Sequence, residues 1–285
     1  MSILDSLMKV NPPDELFHYT TQKGLLGIIQ NKSIWTTKVL CLNDSSEYVL
    51  ALRIAKEILT EFEKGGQYSL RKIELLRDDI DSIWKLNIFV SSFTEDSDLL
   101  SQWRAYSNSS GGYSIGFHGS KLIENATKQG FFLSKCVYDH EIQREIVTSL
   151  IKEYMSKDFD SPYGLADSQE NPRTISIFSG TEFWKDLGAL APILKDDGFK
   201  EEKEWRIISE SAMSSSDVSY RTGKSYIIPF FGFILDKPND LFSSITIGPT
   251  PHPDISENSL RMLLQKHGLS QTISINHTNI PYRNW

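Results

Sequence analysis

Apolar positions recur at helical spacing in some blocks of the chain and at strand spacing in others. Leu25, Leu26, Ile28 and Ile29 share a helical face, which predicts a helix to about Asn31 with Thr20 or Thr21 as its cap. Tyr48, Leu52, Ala55 and Leu59 mark a second helix. It opens at Asp44-Ser-Ser-Glu47, which has capping-box spacing, and Gly65-Gly66 ends it. Leu70, Ile73, Leu76, Ile80 and Ile83 form a third stripe. Helical pattern returns at about 96–106, 140–157, 174–194 and 256–267, with a polar loop around 158–172. Short apolar runs predict strands at 16–19, 34–37, 88–93, 112–117 and 131–138, and at about 204–209, 225–231, 244–247 and 272–275. The strands are short and mixed, and the helices cluster early and in the middle. That predicts an α+β fold rather than a doubly wound parallel sheet. No stretch reads as a linker, so residues 1–285 are expected to form one domain, with helical segments inserted at about 45–85 and 140–194.

Composition narrows the classes without naming one. A chain of 285 residues, 39% hydrophobic and 24% charged, has the makeup of an ordinary soluble globular protein, and its 11% aromatics argue against disorder. There are 37 acidic and 30 basic side chains, a net charge of −7. This disfavours a broad grip on nucleic acid but leaves room for a local patch, for which Arg71, Lys72 and Arg77 are candidates. The longest apolar stretch, 226–235, is about half the ~20 residues a membrane helix needs, and Pro229 and Gly232 interrupt it. The start shows no signal peptide. Cys41 and Cys136 lie in apolar contexts and form no ligand-spaced pair, which predicts two reduced core thiols, no metal site and a cytoplasmic location without a membrane partner.

Several segments carry candidate chemistry. Gly112-Tyr-Ser114-Ile-Gly116 matches the GxSxG nucleophile elbow, which makes a Ser114 hydrolase a third and weaker reading. The elbow needs a strand before it and a helix directly after, whereas a polar loop precedes here and Ser114 sits inside strand pattern, so a glycine-flanked strand is the better one. Thr222-Gly-Lys-Ser225 resembles the tail of a phosphate-binding loop. The position for its first glycine holds Val218, so no phosphate cradle is implied. His18 leaves a strand beside a helix start, well placed to hydrogen-bond a ligand hydroxyl or phosphate. In Glu201-Glu-Lys-Glu204-Trp-Arg206, strand alternation puts Glu202, Glu204 and Arg206 on one face, with Lys203 and Trp205 on the other. Two carboxylates beside a guanidinium suit a developing cation or a hydroxyl nucleophile. Ser91-Ser-Phe-Thr-Glu95 follows a buried strand. On the adjoining helix Trp103 and Tyr106 share a face, as core or as an aromatic wall, and Arg104 can hold an anion.

Taken in order, Phe17-His-Tyr-Thr20, Leu42-Asn-Asp-Ser-Ser-Glu47, Ser92-Phe-Thr94, Ser101-Gln-Trp-Arg-Ala-Tyr106, Gly111-Gly-Tyr-Ser-Ile-Gly-Phe117, Phe199-Lys-Glu-Glu-Lys-Glu-Trp-Arg206, Ile247-Gly-Pro249 and Pro281-Tyr-Arg283 resemble a bacterial family, domain of unknown function 2971. That family is similar to distant ADP-ribosyltransferases. The resemblance implies a mixed, largely antiparallel split β-core with helical insertions, holding NAD as substrate in a cleft. It implies Glu204 as catalytic carboxylate, with Glu202 completing a Glu-x-Glu spacing and Arg206 beside them. His18, with Tyr19 and Thr20 in its motif, would meet the ribose side. Ser91, Ser92 or Thr94 would flank the nicotinamide. Tyr19 or Tyr106 would stack on its ring, with Trp103 and Arg104 completing the binding set. Asn43, Asp44 and Glu47 form a helix cap or a site wall. The activity implied is that of an NAD-dependent ADP-ribosyltransferase or NAD glycohydrolase, as a toxin or phage-defence effector. Its acceptor would be a protein, a nucleic acid or a small molecule, and it would have an antitoxin or defence-system partner. The alternative is a non-catalytic nucleotide-binding or regulatory module on a degenerate version of the same fold.

Overall fold

The computed structural model describes residues 11–42, 45–107, 111–157, 182–209, 215–271 and 273–282. The Asn43 and Asp44 positions, the Glu47 side chain, the loop around 158–172, residues 174–181 and Arg283 lie outside the described set.

The chain begins with β1 (Glu15–Thr21), α1 (Gln22–Asn31) and β2 (Ser33–Lys38), followed by α2 (Ser45–Gly65) and α3 (Leu70–Ser82). Next come β3 (Phe89–Thr94), α4 (Leu100–Tyr106), β4 (Gly112–His118), α5 (Gly119–Thr127) and β5 (Phe131–Lys135). The second helical stretch holds α6 (His140–Ser156) and α7 (Phe183–Leu190). The chain ends with β6 (Glu204–Ser209), β7 (Ser219–Thr222), β8 (Ile227–Ile234), α8 (Pro238–Leu241), β9 (Phe242–Ile247), α9 (Pro253–Lys266) and β10 (Ser274–His277). Thr21 caps α1, its side chain accepting from Gly24 N.

Among the described residues ten strands join one mixed sheet, in the order β10-β9-β4-β1-β3-β2-β8-β7, with β6 paired to β3 and β5 to β6. Only β9 and β10 run parallel; the other pairs are antiparallel. The sheet forks at β3. Along one edge β3 pairs with β6 from Val90 to Thr94. Along the other it meets β1 only at Thr94, opposite Phe17, and β2 only at Phe89 and Val90. Between those rungs Ser91, Ser92 and Phe93 have no strand partner on that edge among the described residues.

Two large apolar clusters hold the fold, beside a small one of Phe17, Tyr19 and Trp103. One packs Leu16, Phe93, Ile115, Phe117, Trp205 and Ile207 of the sheet under α1, α5 and α9. The other joins α2, α3, α6 and α7 over Val90 and Ile208, so the two helical segments expected as insertions form one helical cluster. Each fully buried Leu, Ile or Phe contributes about 1.5–3 kcal/mol of transfer free energy. Packing therefore fixes these helices more than intrinsic propensity does.

The structure departs from expectation at several boundaries. Leu26 and Leu70 are exposed rather than core. The helix expected from about 96 starts at Leu100, because Asp98 N binds Asp96 Oδ1 and holds a turn there. The strand expected to Tyr138 stops at Lys135, and Val137 makes only an isolated bridge to Leu194. Pro192 sits in a 3-10 turn that follows α7 at once. Three elements went unforeseen: α5, a nine-residue helix with few apolar positions, β7, an exposed edge strand, and α8, a single turn opening at Pro238. No helix among the described residues is long and apolar enough to cross a membrane.

Candidate functional site

The fork opens into a cleft of about 810 Å³, within the usual ~300–1,000 Å³ of ligand sites. Its walls come from β1, β2, β3, the end of α4, the Lys195–Arg206 segment and the β7–β8 hairpin.

Glu204 lies in this cleft, 4% exposed and ringed by cations. Arg206 Nε donates to Glu204 Oε1 at 2.8 Å and its second terminal nitrogen to Oε2 at 3.0 Å. Lys195 Nζ donates to Glu204 Oε2 and to Glu202 Oε2, each at 2.6 Å. The local backbone sets these positions. Asp196 caps a 3-10 turn spanning Asp197–Glu202, and Lys203, at φ 43°, swings the chain into β6. Glu202 thus reaches Glu204 through a turn and a shared lysine, not through the strand alternation expected of it. Trp205 does face the core, as alternation requires. Gln143 Nε2 donates to Lys195 O, and Arg206 also donates to Pro192 O. Tyr138 Oη accepts from Glu204 N, and Thr94 Oγ1 donates to Glu202 O. Burial pushes the Glu204 carboxyl up, but Arg206 and Lys195 overcome it and hold the group down at about 2. Glu204 is therefore a fixed anion at neutral pH.

His18 sits at the fork. Its Nδ1 lies 2.9 Å from Ser92 O, on the part of β3 whose edge toward β1 has no strand partner among the described residues. A carbonyl only accepts, so Nδ1 carries the proton. Burial holds the ring below its ordinary range, against the Ser92 bond, and keeps it neutral. Nε2 is then an acceptor without a partner among the described residues, on a side chain that lines the cleft. Ser92 and Thr94 alternate with Phe93 and share a face with Arg206 and Glu204, their rung partners; Ser91 lies on the other face but still borders the cleft.

Other expected site residues are placed differently. Tyr19 borders the cleft, but its hydroxyl donates to Asp96 O and accepts from Leu99 N, and its ring meets Trp103 edge-on. Trp103 is fully buried, with Nε1 bound to Asp98 Oδ1, so it is core and not a cleft wall. Arg104 points to the Tyr282 ring, and neither it nor Thr20 lines the cleft. Tyr106 does line it and is 39% exposed. Ser114 is fully buried in the middle of β4, with no helix directly after it. Cys136 is buried as expected, but Cys41 is half-buried and lines the cleft rather than the core. Of the three basic residues on α3, Lys72 donates to Met155 O and Lys157 O, and Arg77 pairs with Glu63 at 2.6 Å.

The cleft also recruits Lys195, Trp35, Arg221 and Tyr226, which the sequence did not mark as site residues, and Phe199 and Lys224, whose segments were noted without a role for them. Lys195 had one available signal. A buried carboxylate beside a half-buried one requires more positive charge than Arg206 alone supplies. Among the described residues no group of three or more His, Cys, Asp or Glu side chains is placed to hold a metal ion.

Residues 102–207 match the model of the family described as Protein of unknown function (DUF2971). The match runs from α4 into β6 and takes in Tyr106, Lys195, Glu202, Glu204 and Arg206, so the resemblance to that family is supported there. No curated protein and no solved structure matches the chain.

Proposed function

We propose that the cleft binds NAD and breaks its nicotinamide–ribose bond, as an ADP-ribosyltransferase or NAD glycohydrolase on a split β-core. One observation carries this reading: Glu204, held as an anion by Lys195 and Arg206, lies in the same cleft as His18, at the fork of the sheet. In the proposed step the C1′–N1 bond breaks and its electron pair leaves with nicotinamide. The ribose becomes oxocarbenium-like, and Glu204 is the nearby negative charge that favours it. Water or an acceptor hydroxyl adds at C1′, and its proton passes to Glu202, the less buried carboxylate. His18 Nε2 accepts from a ribose hydroxyl. Tyr106 and the other aromatic side chains of the cleft suit the flat faces of the two bases.

The test is release of nicotinamide from labelled NAD, with and without cell extract as a source of acceptor. Glu204→Gln is expected to lower the rate by about a hundredfold or more. Thermal unfolding separates that loss from a failure to fold. His18→Gln, which leaves the ionic cluster intact, is expected to raise KM more than it lowers kcat. Release at the wild-type rate by folded Glu204→Gln overturns the assignment.

A second reading has its own support. Both Glu204 oxygens already accept hydrogen bonds from Arg206 and Lys195. A nucleotide-binding module without turnover fits that closed arrangement, and it predicts NAD or ADP-ribose binding with no release of nicotinamide.

A further inference from the structure

We propose that Arg221 and Lys224, carried by the β7–β8 hairpin, form a phosphate subsite in the cleft that takes the pyrophosphate of a nucleotide ligand. The proposal rests on the cleft being the nucleotide site and supplies its phosphate contacts. Charge is the first argument. Among the described residues, Glu202 and Glu204 are the acidic residues lining the cleft, and Lys195, Arg206, Arg221 and Lys224 the basic ones. Lys195 and Arg206 neutralise the two carboxylates. Arg221 and Lys224 are left as an excess of two positive charges, in a chain whose net charge is −7. A cleft of that local sign favours an anion.

Hydrogen bonding is the second argument. One terminal nitrogen of Arg221 donates to Thr37 Oγ1 on β2 at 3.2 Å, which anchors the guanidinium. Its Nε is closed off from solvent and has no hydrogen-bond partner among the described residues. That donor leaves the guanidinium short of partners, and on a side chain that borders the cleft its planar fork of donors suits the paired oxygens of phosphate. The hairpin turn supplies the second cation. Gly223 N donates to Tyr226 O at 3.0 Å, and a Cβ on Gly223 would lie 2.6 Å from that carbonyl, so only glycine fits. Lys224 stands in this tight turn at the cleft, exposed and without a carboxylate partner among the described residues. The segment Thr222-Gly-Lys-Ser225 is therefore no phosphate-binding loop of the kind that opens a helix. It joins two strands, and here side-chain cations rather than backbone N–H groups would meet the phosphate.

Isothermal titration calorimetry with inorganic pyrophosphate, ADP-ribose and adenosine tests the proposal on wild type, Arg221→Gln, Arg221→Lys and Lys224→Ala. Arg221→Gln is expected to weaken pyrophosphate and ADP-ribose by about tenfold or more, with adenosine moved by less than about twofold. Arg221→Lys is expected to recover part of that loss, since it restores charge without the fork of donors. Circular dichroism and thermal unfolding confirm that each variant folds. Unchanged pyrophosphate and ADP-ribose binding in Arg221→Gln overturns the subsite even if wild type cleaves NAD. An equal loss of adenosine overturns it too, because the change would then be a general distortion. Failure of wild type to bind either phosphate compound also overturns it. Binding that depends on Arg221, in a protein that releases no nicotinamide, supports the subsite while the cleavage reading fails.

Discussion

On its β6 wall the cleft carries Glu202, Glu204, Lys195 and Arg206, bonded to one another at 2.6–3.0 Å and balanced in charge. On its hairpin wall it carries Arg221 and Lys224, with a hydroxyl for one and no partner acid for either among the described residues. The first arrangement is organised before any ligand arrives, since breaking it leaves a charge stranded away from water. The second costs little to disturb and has most to gain from an incoming anion. A site built this way separates two tasks. The β6 wall holds fixed charge where a reaction can use it, and the hairpin wall supplies attraction and orientation.

The sharpest break in this contrast is a pair of matched substitutions. Lys195→Met removes a buried cation shared by two carboxylates and is expected to cost about 3–5 kcal/mol of stability in urea unfolding. Arg221→Met removes a cation without a carboxylate partner and is expected to change stability by less than about 1 kcal/mol. Equal losses would erase the distinction between the walls.

Acidity gives a smaller and more selective probe. The Glu204 carboxyl is held at about 2 in the folded chain against an ordinary 4.5. The folded state therefore binds this proton less readily than the unfolded state does. Its contribution is fully present above about pH 4.5 and is lost as pH falls through about 2. The stability gap between wild type and Glu204→Gln should be flat above pH 4.5 and shrink below it, as urea unfolding across pH would read. His18 acts in a different window. Its folded pKa lies below the ordinary 6.5, so the unfolded chain takes up the proton first and stability falls as pH drops below 6.5. His18→Gln should remove that slope and leave the Glu204 window unchanged.

Much of this contrast was legible in the sequence, for identifiable reasons. The stripes Tyr48-Leu52-Ala55-Leu59 and Ile73-Leu76-Ile80 have unbroken helical spacing, and the same residues are buried in the helical cluster. Glu204, Arg206 and Trp205 follow from strand alternation on β6. Lys195 did not, because it follows an apolar run in sequence and meets Glu204 only through the 3-10 turn and the left-handed Lys203. Trp103 was ambiguous because one helical face serves core and cleft alike; the bond from its Nε1 to Asp98 decides for core. The hairpin wall was the least legible. No residue of β7 is buried, so it carries no apolar stripe, and Arg221 reaches Thr37 across 184 residues of sequence. Contacts made across the sheet leave no local period to read.

The smallest expected effect discriminates most finely between the two walls. Lys224 is exposed, so Lys224→Ala should leave stability within about 0.5 kcal/mol of wild type. If the hairpin wall works through its field, the variant should still weaken pyrophosphate, and the loss should shrink as salt rises. The Debye length falls from about 10 Å at 0.1 M salt to about 3 Å at 1 M. Arg221→Gln should lose affinity at both salt concentrations, because a guanidinium anchored on Thr37 acts through hydrogen bonds as well as charge. Calorimetry at 0.1 and 1 M salt reads both. A loss in Lys224→Ala that salt leaves unchanged would mean that Lys224 bonds the phosphate directly. The hairpin wall would then be as ordered, once a ligand binds, as the β6 wall is before one arrives.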